Sequence, residues 1–280
     1  MITVESTDGV RLAVHELGDP APGARPLLLC HATGFHGRVW RALAEELPDR
    51  RCIAIDFRGF GDSTEPDRPV EWRGFADDVL AVVDALDLAP VQAVGHSKGG
   101  AAILLAEQAR PGTISAAVCF EPIVFPPMEG DPGPNPLAEV TRHRREEFGS
   151  YDEAISRFAA KPPLGSLRPD VLDDYVRFGF APVDEARPDG AVRLKARRDH
   201  EAATYQAAPA HGGFRRLPEV TCPVLVVHGG DGQAPAEIAP LVAAELPAGE
   251  LVAAPERGHF GPLEDPAWFA GVVRGFLDPR

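Results

Sequence analysis

The run Val91-Gln92-Ala93-Val94-Gly95-His96-Ser97-Lys98-Gly99-Gly100 joins two kinds of periodicity. Residues 91–94 are apolar and short, as a buried strand is. Residues 98–110 read as a helix that stops before Pro111. Between them stands the pattern G-x-S-x-G. A tight strand-to-helix turn of this kind strains the residue at its tip and presents that residue's side chain at the strand end. It needs small residues two before and two after the serine, and Gly95 and Gly99 supply them. It also aims a helix N-terminus at any negative charge developing on a substrate.

Working outward, strands are expected over 3–5 and 10–17, with Asp8-Gly9 as the turn between them. The continuous apolar run 26–30 suits a strand buried on both faces. Residues 39–47 read as a helix, 51–55 as a strand, and 72–86 as a helix with Phe75, Val79, Val82, Val83 and Leu86 at helical spacing. A strand over 115–120 follows the helix at 98–110. The alternation then breaks over residues 121–216. That stretch opens with a Pro- and Gly-rich run at 126–136, continues with helix-like segments at 137–148, 151–160 and 168–178, and holds no core strand. Strand (224–228), helix (236–246), strand (250–253) and helix (267–277) then resume. The expected fold is α/β: a mostly parallel sheet flanked by helices (1–120 and 217–280) with a helical cap inserted at 121–216.

The chain has 280 residues, 44% hydrophobic and 25% charged, with a formal net charge of −14. That length buries a core unaided. An acidic chain repels phosphate backbones and anionic lipid, so neither nucleic acid nor a membrane is an expected partner. The longest apolar runs, 27–29 and 224–227, are too short to span a bilayer. The opening residues 1–6 lack a basic region followed by an apolar stretch, so a cytoplasmic location is expected. Cys30, Cys52, Cys119 and Cys222 lie in or beside apolar runs, and none forms a C-x-x-C pair. They read as small buried hydrophobes.

A serine hydroxyl is a weak nucleophile and needs a base. Among nine histidines, His259 follows the last sheet strand in Arg257-Gly258-His259-Phe260, at the sheet edge where such folds place ligands. His228, at a strand end, is the rival. His15, His143, His200 and His211 have ordinary readings at the surface or in the cap, and His96 should point away from the site. The base needs a carboxylate. Asp231, in His228-Gly229-Gly230-Asp231, gives the order Ser, Asp, His. Glu121, at the end of the strand after the nucleophile helix, is the alternative acid. Two backbone N–H groups can hold an oxyanion: that of Lys98, and one from the loop His31-Ala32-Thr33-Gly34-Phe35-His36-Gly37, where Thr33 is chosen.

With these residues in place, the sequence resembles the α/β-hydrolase superfamily. His31–Trp40 looks like its oxyanion loop, and Thr33 falls where the family donates its backbone N–H. Asp56-Phe57-Arg58-Gly59-Phe60-Gly61-Asp62-Ser63 is similar to its D-x-R-G-x-G-x-S loop. Ser97 matches the elbow serine. His259, followed by Pro262-Leu263-Glu264-Asp265-Pro266, matches the C-terminal histidine. The resemblance implies a cap that selects the substrate. Relatives with an elbow aspartate, the haloalkane dehalogenases and epoxide hydrolases, differ from this chain at Ser97.

The expected activity is hydrolysis of a small-molecule carboxylic ester, lactone or thioester through an acyl-enzyme, with no cofactor and no metal. The same constellation serves a carbon–carbon bond hydrolase, a cofactor-free perhydrolase or a lyase, since fold does not set function. A low-turnover ligand-binding receptor is the rival of another class. A homodimer is left open. In the cap, Arg142, Arg144 and Arg145, and Lys195, Arg197 and Arg198, stand near Glu146, Glu147, Asp199 and Glu201. They read as solvated faces with local pairing, and an anionic substrate is the alternative. Phe125, Phe148, Phe158, Phe178, Phe180 and Tyr205 read as cap core or pocket lining.

Overall fold

A computed structural model describes residues 1–128, 130, 133–230, 232 and 234–278. Before the insertion run β1 (Ile2–Glu5), β2 (Arg11–Leu17), β3 (Arg25–Cys30), α1 (Arg41–Glu45), β4 (Arg50–Ile55), α2 (Trp72–Ala85), β5 (Val91–His96), α3 (Lys98–Ala109) and β6 (Ile114–Phe120). The insertion holds α4 (Pro136–His143), β7 (Glu147–Phe148), α5 (Tyr151–Ala159), α6 (Pro169–Gly179), β8 (Phe180–Pro182), β9 (Val192–Leu194) and α7 (Arg198–Ala207). The chain closes with β10 (Val224–Gly229), α8 (Ala234–Glu245), β11 (Gly249–Ala254), α9 (Gly261–Glu264) and α10 (Pro266–Leu277).

Eight strands form one sheet in the order β1-β2-β4-β3-β5-β6-β10-β11. Pairing is antiparallel at β1–β2 and β2–β4 and parallel from β4 onward. This is the mostly parallel sheet that the alternation implied, in the α/β-hydrolase arrangement that the resemblance implied. Alternate residues of each strand enter opposite layers, as the strand period of two requires. Leu28 and Cys30 pack with Phe75 and Val79 of α2, and Leu27 and Leu29 pack with Phe269 and Val273 of α10. The strands carry apolar residues on both faces because helices cover both. Cys30, Cys52 and Cys119 are buried, Cys222 is partly so, and all four are free thiols, matching the sequence reading.

In the insertion, the expected helix at 137–148 ends at His143, and its last residues form β7. β7, β9 and β8 make a separate three-stranded antiparallel sheet. Strands of two or three residues are too short to leave a period in the sequence. The insertion bears on loops at the carboxyl ends of β3 and β4. Tyr175 O accepts from His36 Nε2 at 3.2 Å, and Arg58 O accepts from His200 Nε2 at 3.1 Å. Among the described residues, no helix is long and apolar enough to cross a membrane.

Candidate active site

The parallel neighbours β3, β5, β6 and β10 end side by side, so the segments that follow them converge. Ser97, directly after β5, has φ 54° and ψ −114°. This positive φ is uncommon for a residue with a Cβ and costs on the order of 1–3 kcal/mol. The surroundings over-determine it. Ser97 N donates to Phe120 O at 2.8 Å, and its carbonyl accepts from Ile123 N at 3.2 Å. The flanking glycines are required by close approach. A Cβ on Gly99 would lie 2.0 Å from Cys30 O, and one on Gly95 would lie 2.5 Å from Gly100 N.

Glu121, directly after β6, is fully buried and also has a positive φ, 45°. Its amide donates to Val227 O at 2.8 Å, which ties it to β10. Its Oε1 accepts from Gly229 N at 2.7 Å, and its Oε2 accepts from His259 Nδ1. That contact holds the His259 ring by one nitrogen, the arrangement a general base requires. The alternative acid of the sequence reading is thus the carboxylate found on His259. Asp231 lies outside the described residues. The rival base His228 turns its Nδ1 to Gly229 O at 2.8 Å. His96 corrects an expectation. Its ring does not point away but packs 4.8 Å from that of His259. Burial, then the charge of His259, holds His96 well below the usual histidine range. It therefore offers His259 a neutral wall.

Thr33 and Lys98 are both buried. Among the described residues, neither amide has a backbone acceptor outside its own element. The loop carrying Thr33 is pinned on three sides. His31 donates from Nδ1 to Ala32 O at 2.7 Å and accepts at Nε2 from Phe57 N at 3.1 Å. Asp56 Oδ1 accepts from Gly37 N at 2.6 Å. Glu201, from the insertion, lies against Gly34, where an added Cβ would come within 2.9 Å of its Oε1.

Asp56 also accepts from Asp62 N at 2.8 Å and His15 Nε2 at 3.0 Å. Burial alone would raise its pKa, but the His15 hydrogen bond, the charges of His15 and His36 and the Asp62 amide outweigh it. Its carboxyl is held far below the usual range. His15, read as a surface residue, is therefore buried as part of this support. His15, Asp56 and Asp62 bring three potential metal ligands together. Lys195 Nζ donates to Asp62 at 2.6 Å, and Asp56 is already saturated by donors, so the group is a hydrogen-bonded brace.

Residues 27–272 match the family described as the alpha/beta hydrolase family. The chain belongs to it. Within this family, the chain is 28% identical over 280 residues to 2-hydroxymuconate semialdehyde hydrolase of Pseudomonas sp. (strain CF600), covering 96% of this chain and 91% of that protein. It is 27% identical over 248 residues to a non-heme chloroperoxidase of Streptomyces lividans, covering 83% of each. Among solved structures, E-2-(acetamidomethylene)succinate hydrolase superposes with a TM-score of 0.75 at 24% identity, covering 99% of both chains. That likeness supports the fold.

Proposed function

We propose that this protein is a serine hydrolase that cleaves a small-molecule carboxylic ester, lactone or thioester. The observation that carries this reading is the conjunction of a strained elbow serine, Ser97, with a histidine, His259, whose Nδ1 is held by the buried Glu121. In this reading Ser97 Oγ attacks the carbonyl carbon and passes its proton to His259 Nε2. Glu121 stabilises the resulting imidazolium. The Lys98 and Thr33 amides hold the tetrahedral oxyanion. His259 returns the proton to the leaving oxygen or sulfur, then takes one from the water that releases the acyl group. The insertion acts as the cap. The side chains and amides named supply the whole sequence of steps, with no cofactor or metal in it.

A fluorophosphonate is expected to modify Ser97, located by mass spectrometry. Ser97→Ala is expected to lose both the adduct and turnover of a short- to medium-chain ester panel. Full turnover in that variant refutes the proposal. Glu121→Gln is expected to lower kcat by about 10³–10⁴-fold, with Asp231→Asn having the smaller effect. The reverse order would make Asp231 the acid.

Carbon–carbon bond hydrolysis is a second reading. It is favoured by the end-to-end match to 2-hydroxymuconate semialdehyde hydrolase. Turnover of 2-hydroxymuconate semialdehyde above that of the ester panel would select it.

A further inference from the structure

Residues of the insertion line an open-sided cavity of about 650 Å³. Its floor is a set of touching rings. Phe148 lies 5.4 Å from Phe158 and 5.7 Å from Phe180, and Phe158 lies 5.8 Å from Tyr175 between ring centroids. Leu164 and Leu194 complete an apolar interior. The charged lining is mostly basic, with Arg144, Arg145, Arg157 and Lys161 against Glu139.

These cations differ in their commitments. The clusters conspicuous in the sequence are neutralised: Arg142 by Glu139, Arg144 by Glu201, Arg145 by Glu153, Lys195 by Asp62, Arg197 by Glu65 and Arg198 by Glu146. Arg157, in the last turn of α5, and Lys161, just beyond it, have no carboxylate within ion-pair distance among the described residues. Arg157 still feels the charge of Glu153, and Glu139 also lines the cavity, but with Arg144, Arg145, Arg157 and Lys161 the lining is net positive in a chain of net charge −14.

A chain of packed rings runs from the inner wall toward the elbow. Tyr175 lines the cavity and packs 5.2 Å from Phe35, which packs 5.4 Å from Phe260 beside His259. Arg144 also lines it and holds Glu201 against Gly34. Residues that line the cavity thus connect to the loop that carries Thr33 through Glu201 and Phe35.

We propose that this cavity is a subsite for an aryl- or alkyl-carboxylate, its apolar body on the Phe148–Phe158–Phe180 floor and its carboxylate at Arg157 and Lys161. The substrate is then an ester that also bears a free acid. This last step rests on the serine-hydrolase reading, whereas binding of the acid does not. Apolar pockets with a few placed charges bind ligands of this chemistry.

The test is calorimetric titration of 4-phenylbutyrate and its uncharged counterpart 4-phenylbutanol into the full-length protein. The acid is expected to bind more tightly, with affinity that falls as salt rises. Arg157→Ala/Lys161→Ala, two exposed positions whose loss leaves the core intact, is expected to weaken the acid roughly five- to tenfold and to remove its advantage over the alcohol. Val140→Trp, which fills the mouth from the exposed face of α4, is expected to weaken both. Equal affinity for acid and alcohol, or an acid affinity unchanged by either variant, overturns the proposal. In ester turnover, a lower KM for the acid-bearing ester than for its neutral counterpart is expected, and the double variant should abolish that difference. Acid binding without a Ser97 adduct would refute the hydrolase reading and leave the subsite standing. An adduct without acid binding would do the opposite.

Discussion

Lys98 has a backbone and a side chain with separate fates. Its amide opens α3 beside Ser97, while its side chain is fully buried. The Nζ lies 3.7 Å from the Phe60 ring centroid, 4.5 Å from Phe57 and 4.6 Å from Phe75, with no hydrogen-bond partner. Burial pushes its pKa well below the ordinary 10.5, outweighing the charges of Asp78 and Glu201 that oppose the shift. The unfolded chain therefore binds a proton that the folded protein releases, so this group makes stability rise with pH from its lowered folded value up to 10.5. Urea denaturation at pH 7 and pH 9 is expected to show a steeper rise for the wild type than for Lys98→Met. The variant should gain on the order of 2 kcal/mol at pH 7. Equal slopes would mean that the three rings keep the ammonium charged. Sequence pattern placed Lys98 directly after Ser97, at the head of a helix. It carried no sign of the aromatic cage, because Phe57, Phe60 and Phe75 come from a loop and a helix that only folding brings to α3.

At the scale of elements, the turn from β5 to α3 depends on what a Cβ would meet. Gly99 has the carbonyl of Cys30 in that space, whereas Gly271, exposed on α10, has nothing within 4 Å. The same substitution should therefore have opposite signs. Gly99→Ala is expected to destabilise the protein by about 3 kcal/mol or more. Gly271→Ala should stabilise it by about 0.5–1 kcal/mol. Thermal unfolding of the two variants measures both, and a stabilising Gly99→Ala would contradict the packing described. The elbow was legible because its glycines stand at set distances from the serine. β7, β8 and β9 were not, because two or three residues define no periodicity and their pairing joins segments far apart in the chain.

Across the whole molecule, Arg144 and Glu201 link the insertion to the loop carrying Thr33. Arg144 is bidentate on Glu201, with Nη1 to Oε1 at 2.9 Å, and Glu201 is buried. Removing one partner of a buried pair leaves a desolvated charge, whereas replacing both does not. Arg144→Met is expected to cost about 3–5 kcal/mol, and Arg144→Met/Glu201→Leu to recover most of it. Equal losses in the single and double variants, read by chemical denaturation, would show that the pair is not coupled.

The sequence alone determined the α/β alternation and the tight turn at Ser97, and it put forward His259 as the base and 121–216 as the insertion. Each rests on local spacing or on an apolar period that one segment carries by itself. It left the acid open between Asp231 and Glu121 for a physical reason. Both follow sheet strands, and β6 and β10 are neighbours, so either strand end can reach the same histidine. The tertiary structure set Glu121 against His259, turned the ring of His96 onto it and buried His15 on Asp56. It also set Arg157 and Lys161, which make no ion pair among the described residues, beside an aromatic floor, because charge pairing and cavities depend on distances between segments that no one-dimensional pattern records.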